Sequence, residues 1–123
     1  MGEAITIEEC AREPNAVVVR ISGELDSTNA RDTAEALLSY VRDDDPSDLV
    51  AELSGISYVD SAGVRAFVEL GERLQRNGQA LVLVAPGDSR MSRVLSIVKM
   101  ELLVPVHESV ESALGAIASP APD

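Results

Sequence analysis

Few side chains in this sequence stand where chemistry could happen, and the hydroxyl of Ser61 has the most defined setting. It lies in "YVDSAGV" (58–64), where Tyr58 and Val59 read as the end of a buried strand or turn. Asp60-Ser61 then reads as an N-cap pair opening an amphipathic helix. Free N–H groups and the dipole at a helix start favour negative charge. A phosphate on Ser61 would gain hydrogen bonds there, yet it would bring about −1.5 to −2 charge beside Asp60 and near Asp26. Local physics therefore favours Ser61 as a plain cap and keeps a modification site as the alternative.

Other constellations are sparse. His107 is the single histidine and has no second histidine or thiol to share a metal, so it reads as a surface or satisfied residue. No G-x-S-x-G elbow, Walker A loop or G-x-G-x-x-G loop occurs, which argues against a hydrolase triad and against nucleotide binding by those routes. Asp43-Asp44-Asp45 could attract a cation but reads as a solvated acidic loop. The only lysine, Lys99, falls in a helical pattern, which disfavours a phospho-aspartate receiver. Cys10 follows a strand and reads as a buried, inert thiol, and a single cysteine makes no internal disulfide. The residues thus point to no enzyme, no cofactor and no metal.

The elements that position Ser61 follow from periodicity. Ile5 and Ile7 alternate with polar neighbours, "AVVVRI" (16–21) is β-branched, and "REPN" between them has turn chemistry, giving an antiparallel hairpin. Asp26, Ser27 or Thr28 can cap a helix bearing Ala30, Ala34, Leu37, Leu38 and Val41. "LVAEL" (49–53) is a short strand, and the helix after Ser61 carries Val64, Phe67, Val68, Leu70 and Leu74. Arg65, Glu69 and Arg73 recur at i, i+4 on that helix, with Glu72 and Arg76 as another such pair, forming a solvated face or a partner-binding face. Gly71 within it costs about 1 kcal/mol relative to Ala and indicates close packing. "ALVLVA" (80–85) is a buried strand, Met91, Val94, Leu95 and Val98 mark a third helix, and "LLVPV" (102–106) a short strand that Pro105 places at an edge. Val110, Ala113, Leu114 and Ile117 mark a last helix before a tail at 118–123. This alternation predicts one α/β domain with a mixed sheet of four to five strands and about four helices packed mainly on one side, its core spanning about 4–117.

Composition narrows the class. Apolar residues make up 46% and charged residues 25%, and the net charge is −11. Such a surface repels nucleic acid and anionic membranes and suits a partner with a basic patch. Without a signal-peptide pattern or a run long enough to span a bilayer, a cytoplasmic protein is expected. A monomer or weak dimer is expected, since the first strand could pair at the sheet edge.

The ordered motifs "VVVRISGELDSTNA", "LVAELSGISYVDSAGV", "NGQALVLVAPGDSRMSRVL" and "ESVESAL" resemble the STAS-domain anti-sigma factor antagonists over nearly the whole chain. The resemblance implies a mixed sheet with helices on one side. It makes Ser61 the phosphoacceptor, Asp60 the acid before it and Asp26 the nearby acid of "GELD". It further implies that the unphosphorylated protein binds an anti-sigma factor with GHKL-type serine kinase activity and frees a sigma factor. A serine phosphatase resets the cycle. Docking would involve Asp26, Asp60, Ala62, Gly63, Val64 and Arg65, with Gly63 allowing the kinase to approach. Ala62 stands where many members carry Ser or Thr, leaving Ser61 the lone hydroxyl of its tripeptide. Val64 replaces a common Leu, and Arg65 a small or apolar residue. Glu52 replaces the usual Asp or Asn before "LSGI", and Met100-Glu101-Leu102 a Gly-Leu turn. The alternative within the same resemblance is a non-switching scaffold or adaptor subunit.

Overall fold

A computed structural model describes residues 4–41 and 47–118. Asp43, Asp44 and Asp45, and residues 119–123 of the expected tail, lie outside the described residues. Ten elements follow in order: β1 (Thr6–Glu13), β2 (Ala16–Leu25), α1 (Ala30–Leu38), β3 (Asp48–Val59), α2 (Ser61–Arg76), β4 (Leu81–Val84), α3 (Arg90–Ile97), a 3₁₀ turn (Met100–Leu102), β5 (Val106–His107) and α4 (Val110–Ala118). The five strands form one sheet in sequence order, with β1 antiparallel to β2 and every later neighbour parallel.

This topology dictates the layers. The crossovers β2–α1–β3, β3–α2–β4 and β4–α3–β5 all step across the sheet in one direction. Repeated right-handed crossovers therefore put α1, α2 and α3 on the same face. Val17, Val19, Ile21, Leu49, Leu53, Leu81 and Leu83 face them, around Phe67 of α2, the only phenylalanine. Each such side chain contributes about 1.5–3 kcal/mol by leaving water. α4 comes after the last strand and covers the opposite face, where Ala113 packs on Ala16, Val18, Val50, Val82 and Val84. Beyond α4's reach that face turns polar. There buried Glu52 accepts from Arg20 at 2.9 Å and from the Ser54 N–H and hydroxyl at 2.6 and 2.9 Å. Burial pushes the Glu52 carboxyl up, but the Ser54 and Arg20 bonds together outweigh it and hold it below its ordinary value.

Several expectations are corrected. β3 is twelve residues long, not five, because it keeps pairing with β2 as far as Leu25 opposite Val59 after β4 has ended at Val84, opposite Glu52. The last strand begins at Val106, since residues 100–103 wind into the 3₁₀ turn after Lys99 takes the left-handed conformation, φ 55°. It does lie at the sheet edge. Cys10 is exposed, not buried, because the register slips between Glu9 and Ala11 and leaves it unpaired in the ladder. Gly71 does pack closely: a Cβ there would meet Val104 Cγ2 at 3.2 Å.

Candidate functional site

The parallel strands deliver the N-termini of α1, α2 and α3 to one edge of the sheet. At that edge β3 hands over to α2. The Asp60 N–H donates to the Leu25 carbonyl at 3.2 Å, carrying the β2–β3 ladder one residue past the strand. Asp60 itself is extended (φ −106°, ψ −174°), and its carboxylate does two jobs. Oδ1 accepts the Gly63 N–H at 3.1 Å and so caps α2, while Oδ2 accepts the Ser27 N–H at 3.2 Å from the β2–α1 loop. Asp60 thereby clamps two loops together.

Ser61 is consequently not the cap. It is the first residue of α2, exposed, and its hydroxyl has no hydrogen-bond partner among the described residues. Either residue of the pair could have capped; the strand ladder ends so that the acid occupies the flanking position, where its oxygen can reach back to Gly63. The serine oxygen is left facing solvent at the positive end of a sixteen-residue helix.

Asp26 serves its own loop. Its Oδ1 accepts from the Thr28 hydroxyl at 2.5 Å and the Thr28 N–H at 2.9 Å, and these bonds hold its carboxyl below the ordinary range. Its N–H donates to Asn29 Oδ1 at 3.0 Å, and Asn29 Nδ2 donates to the Glu24 carbonyl at 2.8 Å. None of Asp26, Ser27 or Thr28 caps α1, which Asn29 flanks without a side-chain cap bond. The loop is folded on itself instead. Asp26 reaches the Ser61 edge only through its neighbour Ser27, and no hydrogen bond joins Asp26 to Ser61 among the described residues.

The residues after Ser61 divide by face. Gly63 is buried, and a Cβ there would sit 2.6 Å from Val59 Cγ2 and 2.9 Å from Leu25 Cγ. The close approach that requires glycine is therefore internal, helix on sheet, rather than an opening for a partner. Ala62 and Val64 are half-buried against the main core, which leaves Arg65 as the exposed side chain of this turn. Arg65 forms no ion pair with Glu69, nor Arg76 with Glu72. Arg73 reaches across to Glu35 of α1 at 3.0 Å instead, an exposed bridge worth at most about 1 kcal/mol.

Two further side chains share this edge: Tyr58, which the sequence reads as the end of a buried strand or turn and the structure exposes, and Arg90, which the sequence does not single out. Tyr58 is 48% exposed, because β3 has outrun its neighbour β4 there. Arg90, at the start of α3, donates to the Ser57 carbonyl at 2.7 Å and leans on the same unflanked stretch. An aromatic two residues before Asp60, with Val59 between, was the available signal for Tyr58; Arg90 had none. His107 Nδ1 lies 2.8 Å from Ser112 Oγ, a local contact of β5 with α4. Among the described residues no cluster of His, Cys, Asp or Glu is placed to hold a metal ion. No helix among them is long and apolar enough to cross a membrane.

Comparison with known proteins places this geometry. The STAS domain family model matches residues 9–113. An anti-sigma-B factor antagonist of Staphylococcus aureus is 31% identical over 93 residues, covering 76% of this chain and 84% of the relative. The crystal structure of an anti-sigma factor antagonist from Mycobacterium paratuberculosis superposes with a TM-score of 0.78 at 25% identity, covering 94% of this chain and 96% of that one. The Bacillus cell fate determinant SpoIIAA, in its phosphorylated form, shares the fold with a TM-score of 0.60 at 19% identity, covering 91% and 97%.

Proposed function

The chain belongs to the STAS-domain family, and from that premise we propose that it is an anti-sigma factor antagonist switched by phosphorylation of Ser61. The observation that carries this reading is the exposed, unbonded Ser61 hydroxyl, released from capping by Asp60, at the start of α2. The curated relatives named as anti-sigma factor antagonists support the class of partner. On this reading one STAS domain, with its core at about 4–117, acts in the cytoplasm. It binds an anti-sigma factor of GHKL serine-kinase type and frees the sigma factor, and a serine phosphatase later removes the phosphate.

The antagonist supplies no catalytic group. Ser61 offers the nucleophilic oxygen, and the kinase brings ATP and its metal. Docking covers the exposed members of the edge: Ser61, Arg65, Ser27 and Tyr58. Asp60, Asp26, Ala62, Gly63 and Val64 act by holding that edge in shape. A phosphate adds about −1.5 to −2 charge next to the Asp60 carboxylate, in a surface that docking would remove from water. Leaving that charge unpaired costs the complex several kcal/mol, and about 4 kcal/mol already lowers affinity roughly a thousandfold. Local charge suffices, with no change of fold. The test is the affinity of the purified anti-sigma kinase for the unmodified chain, Ser61→Ala and Ser61→Asp. The first two should bind alike and the third far more weakly; equal binding of Ser61→Asp would refute the charge switch.

A further inference from the structure

We propose that the groove between α1 and α2 is a second docking surface, one that takes an acidic amphipathic helix of the anti-sigma partner. The proposal rests on the reading of Ser61 as a partner contact and extends that contact along the helices. α1 and α2 follow parallel strands, so they run side by side in one direction and leave a furrow of about 820 Å³ between them. Its floor is apolar: Ala30 and Ala34 from α1, Ala62 and Ala66 from α2, then Leu38 and Leu70. Small side chains in the half nearest Ser61 keep it deep enough to seat the ridge of a third helix. From Ala62 to Arg76 it extends about 20 Å, the length of a four-turn helix.

Charge selects the occupant. The rim carries Arg31, Arg65, Arg73 and Arg76 against Glu35, Glu69 and Glu72, in a chain whose net charge is −11. Four of its ten basic residues thus line one furrow. Arg73 is engaged by Glu35, while Arg31, Arg65 and Arg76, and opposite them Glu69 and Glu72, have no ion-pair partner among the described residues, so three unpaired cations outnumber two unpaired carboxylates on the rim. An Asp or Glu flanking the apolar face of an incoming helix would give each a charge-assisted hydrogen bond. The rest of the surface, being acidic, repels such a helix, and this contrast fixes where and in which register it lands. Ser61 stands at the head of the furrow, four residues before Arg65 on the same helix face. A phosphate on Ser61 would therefore also compete with the acidic helix for Arg65.

The test selects four-turn helical peptides from a randomised display library on the intact, unphosphorylated chain. Binders are mapped by amide chemical shifts and re-measured on Arg65→Glu/Arg76→Glu. Enriched peptides should carry acids beside one apolar face and perturb α1 and α2. They should lose affinity about tenfold or more on the charge-reversed chain, less on Arg65→Gln/Arg76→Gln, with both variants melting like wild type. A selection that enriches nothing, enriches neutral or basic helices, or maps elsewhere, such as to exposed Leu102 and Leu103, overturns the proposal. So does a dimer of this chain that the charge reversal dissociates, since the occupant would then be a second copy. None of these readouts uses the kinase, ATP or a modified Ser61, so the groove and the phosphoserine switch can fail separately.

Discussion

Two serines stand at helix starts on the same edge of the sheet, and their hydroxyls are used in opposite ways. Ser89 flanks α3, accepts the Ser92 N–H at 3.1 Å and donates to the Pro86 carbonyl at 2.7 Å. Its oxygen is half-buried and fully engaged in closing the turn. Ser61 lies one position further into its helix, because Asp60 holds the flanking place and bonds Gly63. One serine oxygen cannot both close a helix end and be offered to a partner. An acid placed immediately before the serine separates the two tasks, and its second oxygen fastens the neighbouring loop at Ser27.

Substitutions at the two junctions should differ in a set order. Gly63→Ala drives a methyl into Val59 and Leu25 and should cost about 1–3 kcal/mol, seen as a fall of several degrees in thermal unfolding. Asp60→Ala removes the cap and the link to Ser27 and should cost about 1–2 kcal/mol, whereas Asp60→Asn, which keeps acceptor oxygen, should cost less. Ser89→Ala should cost about 1 kcal/mol, and Ser61→Ala should change stability by less than about 0.5 kcal/mol. Equal costs for the two serine variants, measured by denaturant unfolding, would mean that Ser61 caps after all and the contrast is false.

Acid probes one carboxyl of the β2–α1 loop and one buried in β3. Asp26 and Glu52 have carboxyls held below their ordinary values of 3.8 and 4.5. A carboxyl lowered by folding stabilises the native state above its unfolded value and loses that contribution as pH falls through the folded one. Thermal stability should therefore be insensitive to these two groups near neutrality and should decline below about pH 4.5, with a shallower decline in Glu52→Gln.

Much of the fold was legible because long periodic stretches fix their own elements. The β-branched run of β2, the Phe67–Leu70–Leu74 face of α2 and the "PN" turn at Pro14-Asn15 each carry an unambiguous signal. What escaped depends on register or on tertiary pairing. Whether Asp60 or Ser61 caps α2 turns on a single residue in where β3 stops, and Leu25, far away in sequence, sets that limit. Cys10 lies within β1 rather than after a strand, and a bulge there, which local sequence does not announce, leaves it unpaired and exposed. Arg73 finds Glu35 rather than Glu69 because α1 lies beside α2, which helix spacing within α2 cannot reveal. The candidate site was legible in outline, as a hydroxyl at a strand–helix junction. The division of labour between Asp60 and Ser61 required the coordinates.

The central claim is that Ser61 is presented while Ser89 is not. Incubating the chain with ATP and the anti-sigma kinase proposed as its partner, followed by mass-spectrometric site mapping, tests it most directly. One phosphate should appear, on Ser61, in wild type and in Ser89→Ala alike, and none in Ser61→Ala. Phosphate on another residue, or on Ser61→Ala protein, would contradict it.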